Sequence, residues 1–171
     1  MPLFTDQNHF RDFLLYACRH VDGDLPERAR LVQTLPLRFQ AAAVLLPFDW
    51  HHGQPQIWLT TRSQHLRHHT GQVAFPGGKA DAQDASSVAT ALRETEEELG
   101  ASVHQWDIIG QLPDCYVPSG FVVSPVVAIQ KEGLVWQPNP AEVDNVFAVP
   151  LACALNHQAT ELKPCHITIK P

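Results

Sequence analysis

The chain has 171 residues, 44% hydrophobic and 18% charged, and a formal charge of −6. That is enough chain to bury a proper core, and the composition is that of a soluble globular protein read as a single domain, 1–171. The acidic balance favours neither nucleic acid nor an anionic membrane as partner, so a phosphate-bearing substrate needs local cations or a metal.

No run approaches the ~18 apolar residues of a spanning helix, and the start MPLFTDQNHFRD does not read as a signal peptide. Cys18, Cys115, Cys153 and Cys165 lack C-x-x-C spacing and read as reduced thiols of a cytoplasmic protein, although an even number leaves a bridge open.

In chain order, Phe10, Phe13, Leu14 and Ala17 predict an N-terminal helix over 6–20. A polar, proline-marked link follows from Asp24 to Pro36. The run RFQAAAVLL, 38–46, predicts a buried strand, joined through a turn at 49–54 to a second strand over 56–62. Further on, 106–112 reads as a strand stopped by Pro113, and 114–120 as a loop. The next strand, 121–130, holds Pro125, which argues for an edge or a bulge. A short strand at 134–136, a strand within 141–149 and a short helix at 151–155 complete the reading. Strands mixed with one strong central helix predict an α/β sandwich, and no repeat or composition break divides it.

The most informative stretch is 71–101, GQVAFPGGKADAQDASSVATALRETEEELGA. Asp84, Ser86 and Ser87 offer N-cap side chains, and Gly100 is a natural C′ residue. Val88, Ala91, Leu92, Thr95 and Leu99 form one apolar stripe. At about 100° per residue, Glu94, Glu97 and Glu98 gather on a second face, which is expected at the surface, with Arg93 in pairing reach of Glu97. Glu94 and Glu98 are like charges at i,i+4, a pair that costs about 0.2–0.5 kcal/mol with no lysine nearby to relieve it. A solvated helix face is one reading. A hard divalent cation is the other, because carboxylate oxygens suit Mg²⁺ or Mn²⁺ and the glycine turn can add a carbonyl.

This segment resembles the Nudix box, G-x5-E-x7-R-E-U-x-E-E-x-G-U with U aliphatic. Its second half is Arg93-Glu94-Thr95-Glu96-Glu97-Glu98-Leu99-Gly100-Ala101, with Thr95 and Ala101 weak at the aliphatic positions. Its first half departs: Asp84 stands for the first Glu, and eight residues separate it from Arg93. That insertion is familiar in the coenzyme A pyrophosphatases, whose second signature is L-L-T-x-R-S-x3-R-x3-G-x3-F-P-G-G. Here it runs Trp58-Leu59-Thr60-Thr61-Arg62-Ser63, then Arg67, Gly71 and Phe75-Pro76-Gly77-Gly78, with only Trp58 departing.

The resemblance implies a Nudix fold, an α/β/α sandwich with a mixed sheet and a central catalytic helix, the box lying at about 78–101. It implies hydrolysis of coenzyme A or a derivative to 3′,5′-ADP and a 4′-phosphopantetheine product, with Mg²⁺ or Mn²⁺ as cofactor and a small nucleotide of the coenzyme A class as partner. Catalytic roles fall on Glu94, Glu98 and Arg93, the last as holder of a carboxylate. Glu94, Glu97, Glu98 and the carbonyl of Gly78 are the expected ligands. Arg62 and Arg67 are expected against substrate phosphates or neighbouring carboxylates, and Tyr116 against the pocket. The general base is a helix Glu, ranked first, or Glu142.

Two other readings stay open: a Nudix enzyme for another nucleoside diphosphate, such as ADP-ribose or a dinucleotide, and a non-catalytic sensor domain hinted at by the shifted Asp84. The histidines of HLRHH, 65–69, have no completing ligand set and read as surface residues. The four tryptophans read as core or rim before adenine stackers. The chain ends soon after Leu155, so the family's C-terminal helix is expected short or missing. A homodimer is left open.

Overall fold

The computed structural model describes residues 3–21, 39–64, 71–117 and 119–155. Its centre is a parallel pair, β1 (Gln40–His51) and β7 (Phe121–Gln130), in register from Gln40 opposite Phe121 to Phe48 opposite Ile129. Their nearly unbroken apolar runs suit strands covered on both faces. Around them lie β2 (Gln54–Arg62), β3 (Val73–Ala74), β4 (Gly77–Lys79), β5 (Trp106–Gln111), β6 (Cys115–Val117) and β8 (Val143–Pro150). The order is β3-β2-β1-β7-β5, with β4 on β1, β6 on β7 and β8 on β2, a mixed eight-stranded sheet.

β1 and β2 start as a hairpin and then separate. They pair from His51 opposite Gln54 to Phe48 opposite Ile57. Beyond that point β4 takes Ala42–Val44 of β1, and β3 takes Thr60 and Thr61 of β2. Leu45 donates to the carbonyl of Pro76 at 2.9 Å, which seats the connecting turn in the gap. The Phe75–Lys79 segment is thereby wedged between two strands, beneath the helix that follows it.

Among the described residues one long helix covers each face. α1 (Gln7–His20) is capped by Asp6, whose carboxylate accepts from His9 N at 2.9 Å. It lays Phe10 and Leu14 against Phe48, Ile57, Ile109, Val127 and Ile129. Full burial of a side chain such as Phe10 contributes about 1.5–3 kcal/mol. On the other face α2 (Ser87–Leu99) packs Ala91 and Leu99 on Ala43, Leu45, Val126 and Ala128. Ser86 is its N-cap, and Gly100 ends it in the left-handed region at φ 67°. α3 (Leu151–Ala154) is a single turn after β8.

Several expectations are corrected. β1 runs on through Asp49–His51, because a two-residue turn with positive φ at His52 (49°) and Gly53 (79°) lets these polar residues pair across the hairpin. β7 is not an edge. β6 pairs with it up to Val123 and β5 from Val126, so Pro125, which has no N–H, stands where neither partner needs one. Its carbonyl accepts from Leu112 N at 3.0 Å. The expected loop at 114–120 contains β6. Residues 134–136 form no strand. Instead Trp136 wedges between Trp58 and Trp106, ring centroids 5.2 and 5.9 Å away, while Trp50 lies 6.1 Å from Phe10.

Arg67, the 65–69 histidines, Cys165, the link from Asp24 to Pro36 and the chain after Leu155, where the C-terminal helix is expected short or missing, lie outside the described residues. Cys18, Cys115 and Cys153 form no disulfide with one another. Among the described residues no helix is long and apolar enough to cross a membrane.

Candidate active site

The site is built where α2 descends onto β4. Each glycine of that strand leaves room for something else. A Cβ on Gly77 would lie 2.4 Å from the carbonyl oxygen of Ala43, so only glycine lets β4 press so closely on β1. A Cβ on Gly78 would lie 2.3 Å from Glu94 Oε2, so the carboxylate occupies the space where a side chain would be. The N–H of Gly77 donates to Glu98 Oε2 at 3.2 Å.

Glu94 and Glu98 are therefore not at the surface, as the helix face alone predicted. They are 6% and 4% exposed. Glu97 does remain outside, its side chain 55% exposed, and turns to Arg93. Among the described residues no three His, Cys, Asp or Glu side chains form a ready-made metal cluster. What converges is two buried carboxylates and the backbone of two glycines.

One guanidinium organises this arrangement. Arg93 Nε and Nη2 donate to the two oxygens of Asp84 at 3.0 and 2.9 Å. Nη1 donates to Glu94 Oε1 at 2.8 Å and to Glu97 Oε1 at 3.3 Å, and Nη2 also reaches the carbonyl of Lys79 at 3.0 Å. Asp84 is further fixed by Thr90 Oγ1 and by the N–H of Asp81, both at 2.9 Å. Arg93 holds the Asp84 carboxyl well below the usual carboxylate range, and Asp84 in turn keeps the guanidinium protonated. The departure in spacing thus has a physical answer: Asp84, although shorter and one residue further away, still takes Arg93 in a two-pronged grip.

Glu94 Oε1 is satisfied by Arg93, but Oε2 is buried with no hydrogen-bond partner. An orphan carboxylate oxygen is costly, and a hard cation is the partner that suits it. The residues fit such an ion: Mg²⁺ is commonly held by one or two carboxylates, with water and substrate phosphates completing the shell.

The remaining candidates lie around this centre at different distances. Arg62, at the end of β2, is not a surface arginine but 6% exposed, with Nε unpartnered. It sits opposite Val143, and the next residue, Ser63, donates its N–H to the carbonyl of Glu142 at 2.9 Å, so Arg62 and Glu142 share one corner. Tyr116 lies on β6 against Phe39, with centroids 5.6 Å apart. Three strand steps separate β6 from β4, about 14 Å at ~4.8 Å each. Tyr116 is not brought to the carboxylates. Thr90, the carbonyl of Lys79 and the N–H of Gly77 were not foreseen. No sequence signal pointed to the first of them, because Asp84 lies before the N-cap Ser86, outside the helical period.

A sequence model of the NUDIX domain matches residues 38–168. The uncharacterized Nudix hydrolase NudL of Yersinia enterocolitica is 45% identical over 132 residues, 75% of this chain and 67% of that protein. NudL of Photorhabdus laumondii is 48% identical over 115 residues, 67% of this chain and 61% of that protein. The chain thus spans only about 61–67% of the length of these curated relatives. Among solved structures, an Ap4A hydrolase of C. elegans is similar with a TM-score of 0.56 and 22% identity over 67% of this chain and 82% of that one, a likeness of fold.

Proposed function

Because the chain belongs to the Nudix family, to which its match to the NUDIX domain over residues 38–168 assigns it, we propose that it hydrolyses the pyrophosphate bond of coenzyme A or a derivative. The products are 3′,5′-ADP and a 4′-phosphopantetheine product. We read residues 1–171 as one such domain acting in the cytoplasm.

The observation that carries the hydrolase reading is the buried carboxylate of Glu94 standing over Gly78 with one oxygen unpartnered. The coenzyme A reading rests on the sequence from Trp58 to Gly78, which holds the second signature with one departure. A bound Mg²⁺ or Mn²⁺ supplies charge neutralisation for the phosphates and a water of lowered pKa. Glu94 and Glu98 would hold it through their side chains, with the Gly78 carbonyl as a further donor. Glu97, exposed and turned to Arg93, is at most an outer contributor. Arg93 keeps Glu94 in place and does no chemistry of its own.

The attacking water bonds to one phosphorus as the bridging P–O bond breaks, and its proton passes to a carboxylate, a helix Glu or Glu142. Arg62 is best read as a buried charge balancing nearby carboxylates, because so little of it is open to a substrate phosphate. The grip of Asp84 on Arg93 supports a catalytic domain over the sensor reading.

Mass spectrometry of the products from coenzyme A, ADP-ribose and a dinucleotide, each with Mg²⁺ or Mn²⁺, tests this reading beside a Glu98→Gln control. Metal-dependent 3′,5′-ADP that is absent from the control is the expected result. Faster cleavage of ADP-ribose or the dinucleotide replaces the substrate assignment, and cleavage of none of them removes the enzymatic one.

A further inference from the structure

Between β7 and β8 the chain has no regular structure from 134 to 142, yet Gln137, Asn139, Ala141 and Glu142 are each tied through a backbone hydrogen bond. Two of the last carbonyls of α2, which no helix can satisfy internally, are taken by this segment. Gln137 N donates to Leu99 O and Asn139 N to Glu98 O, both at 2.8 Å. Asn139 then turns the chain. Its carbonyl accepts from the N–H groups of Glu142 and Val143, each at 2.9 Å, and its side-chain Oδ1 accepts from Ala141 N at 3.1 Å. The carbonyl of Glu142 is held on its far side by the N–H of buried Ser63. One residue therefore touches the last turn of α2 with its N–H and fixes Glu142 with its carbonyl and side chain.

We propose that Asn139 is a positioning residue, the joint that keeps Glu142 at a set distance from the carboxylates of α2 so that Glu142 takes part in the reaction. This rests on the hydrolase reading above and adds to it a residue outside both sequence signatures. A base must lie within hydrogen-bond reach of the water whose proton it takes, and a misplacement of about 1 Å costs on the order of 10²-fold in rate. Asn139 touches neither substrate nor metal and acts through Glu142.

The test is a double-mutant cycle on the full chain, run with Mn²⁺ and whichever of the three substrates the wild type cleaves fastest. Asn139→Ala removes the acceptor for Ala141 N and is expected to lower kcat about tenfold, with KM changed less than about twofold. Asn139→Asp keeps that acceptor and restores kcat to within about twofold of wild type. Glu142→Gln lowers kcat by about 10²-fold, and Asn139→Ala adds nothing to it, because both act on one function.

Mn²⁺ affinity by electron paramagnetic resonance stays unchanged in all four variants, which separates the joint from the metal site. Additive losses, no recovery with Asp, or full activity in Glu142→Gln each overturn the proposal while leaving the hydrolase reading intact. If Asn139→Ala does not fold, Asn139→Ser, which makes the same turn more weakly, must give an intermediate kcat, and a wild-type value overturns it. A wild type that cleaves nothing overturns both.

Discussion

Among the described residues, the two helices that cover the sheet differ by one residue in length, 14 for α1 and 13 for α2, and bury opposite chemistry. α1 puts Phe10 and Leu14 into the core. α2 puts Glu94 and Glu98 there, beside Ala91, Thr95 and Leu99. Taking a carboxylate out of water costs several kcal/mol even after relaxation, and two like charges cannot repay one another. The face of α1 makes the protein stable. The carboxylate face of α2 weakens it, and Arg93 and the two glycines are the means by which that strain is tolerated.

The largest expected effect that tests this contrast falls on α1. Phe10→Ala should cost about 3–5 kcal/mol in chemical denaturation and leave kcat of the folded fraction alone; a loss of kcat in folded protein would put α1 in the site. Glu98→Gln should do the reverse. It keeps an oxygen for the N–H of Gly77, so the protein should stay folded while hydrolysis falls about 10²–10³-fold. Mn²⁺ should raise the melting temperature of the wild type, and that of the variant by less. A destabilised, still active Glu98→Gln would contradict the contrast directly.

Asp84→Asn should cost about 1.5–3 kcal/mol at neutral pH by weakening charge-assisted bonds to Arg93. The pKa of Asp84 is lower in the folded protein than its ordinary 3.8, so as pH falls the unfolded chain takes the proton first. Its contribution is complete above 3.8 and is lost as pH drops through the depressed folded value. Urea titrations between pH 7 and pH 2 should therefore show a shallower acid limb in the variant. The smallest effect belongs to the ion pair of Arg11 and Asp107, which joins α1 to β5 with side chains 39% and 41% exposed. Arg11→Ala should change stability by under about 1 kcal/mol and activity not at all.

What could be read from the sequence was what is local. Ser86 and Gly100 bound α2 because caps act within a turn, and its apolar stripe follows from its own spacing. Depth was not legible. A helical period tells which way Glu94 and Glu98 point, but not that Gly77 and Gly78, by carrying no side chains, let the helix sink until those carboxylates are covered. The grip of Asp84 on Arg93 crosses a non-helical turn, so no periodicity reports it. Pro125 misled because the edge rule assumes a partner at each residue, whereas β6 and β5 leave a gap there. The apolar run at 134–136 looked like a strand; Trp136 uses it to fill a space among other rings.

The late segment that ties off α2 also orders events in time. The helix is made early in synthesis, but the partners of Leu99 and Glu98 at its end, Gln137 and Asn139, emerge from the ribosome much later. β8, which pairs with β2 along its length, comes later still. Contacts so distant in sequence close slowly. A nascent chain that stops short of Gln137 has the motif residues and the glycine turn but not the clamp on the last turn of α2. The end of α2 that carries Glu98 is thus tied off late, and an unfinished chain carries the sequence signature before it has the segment that closes over the helix end.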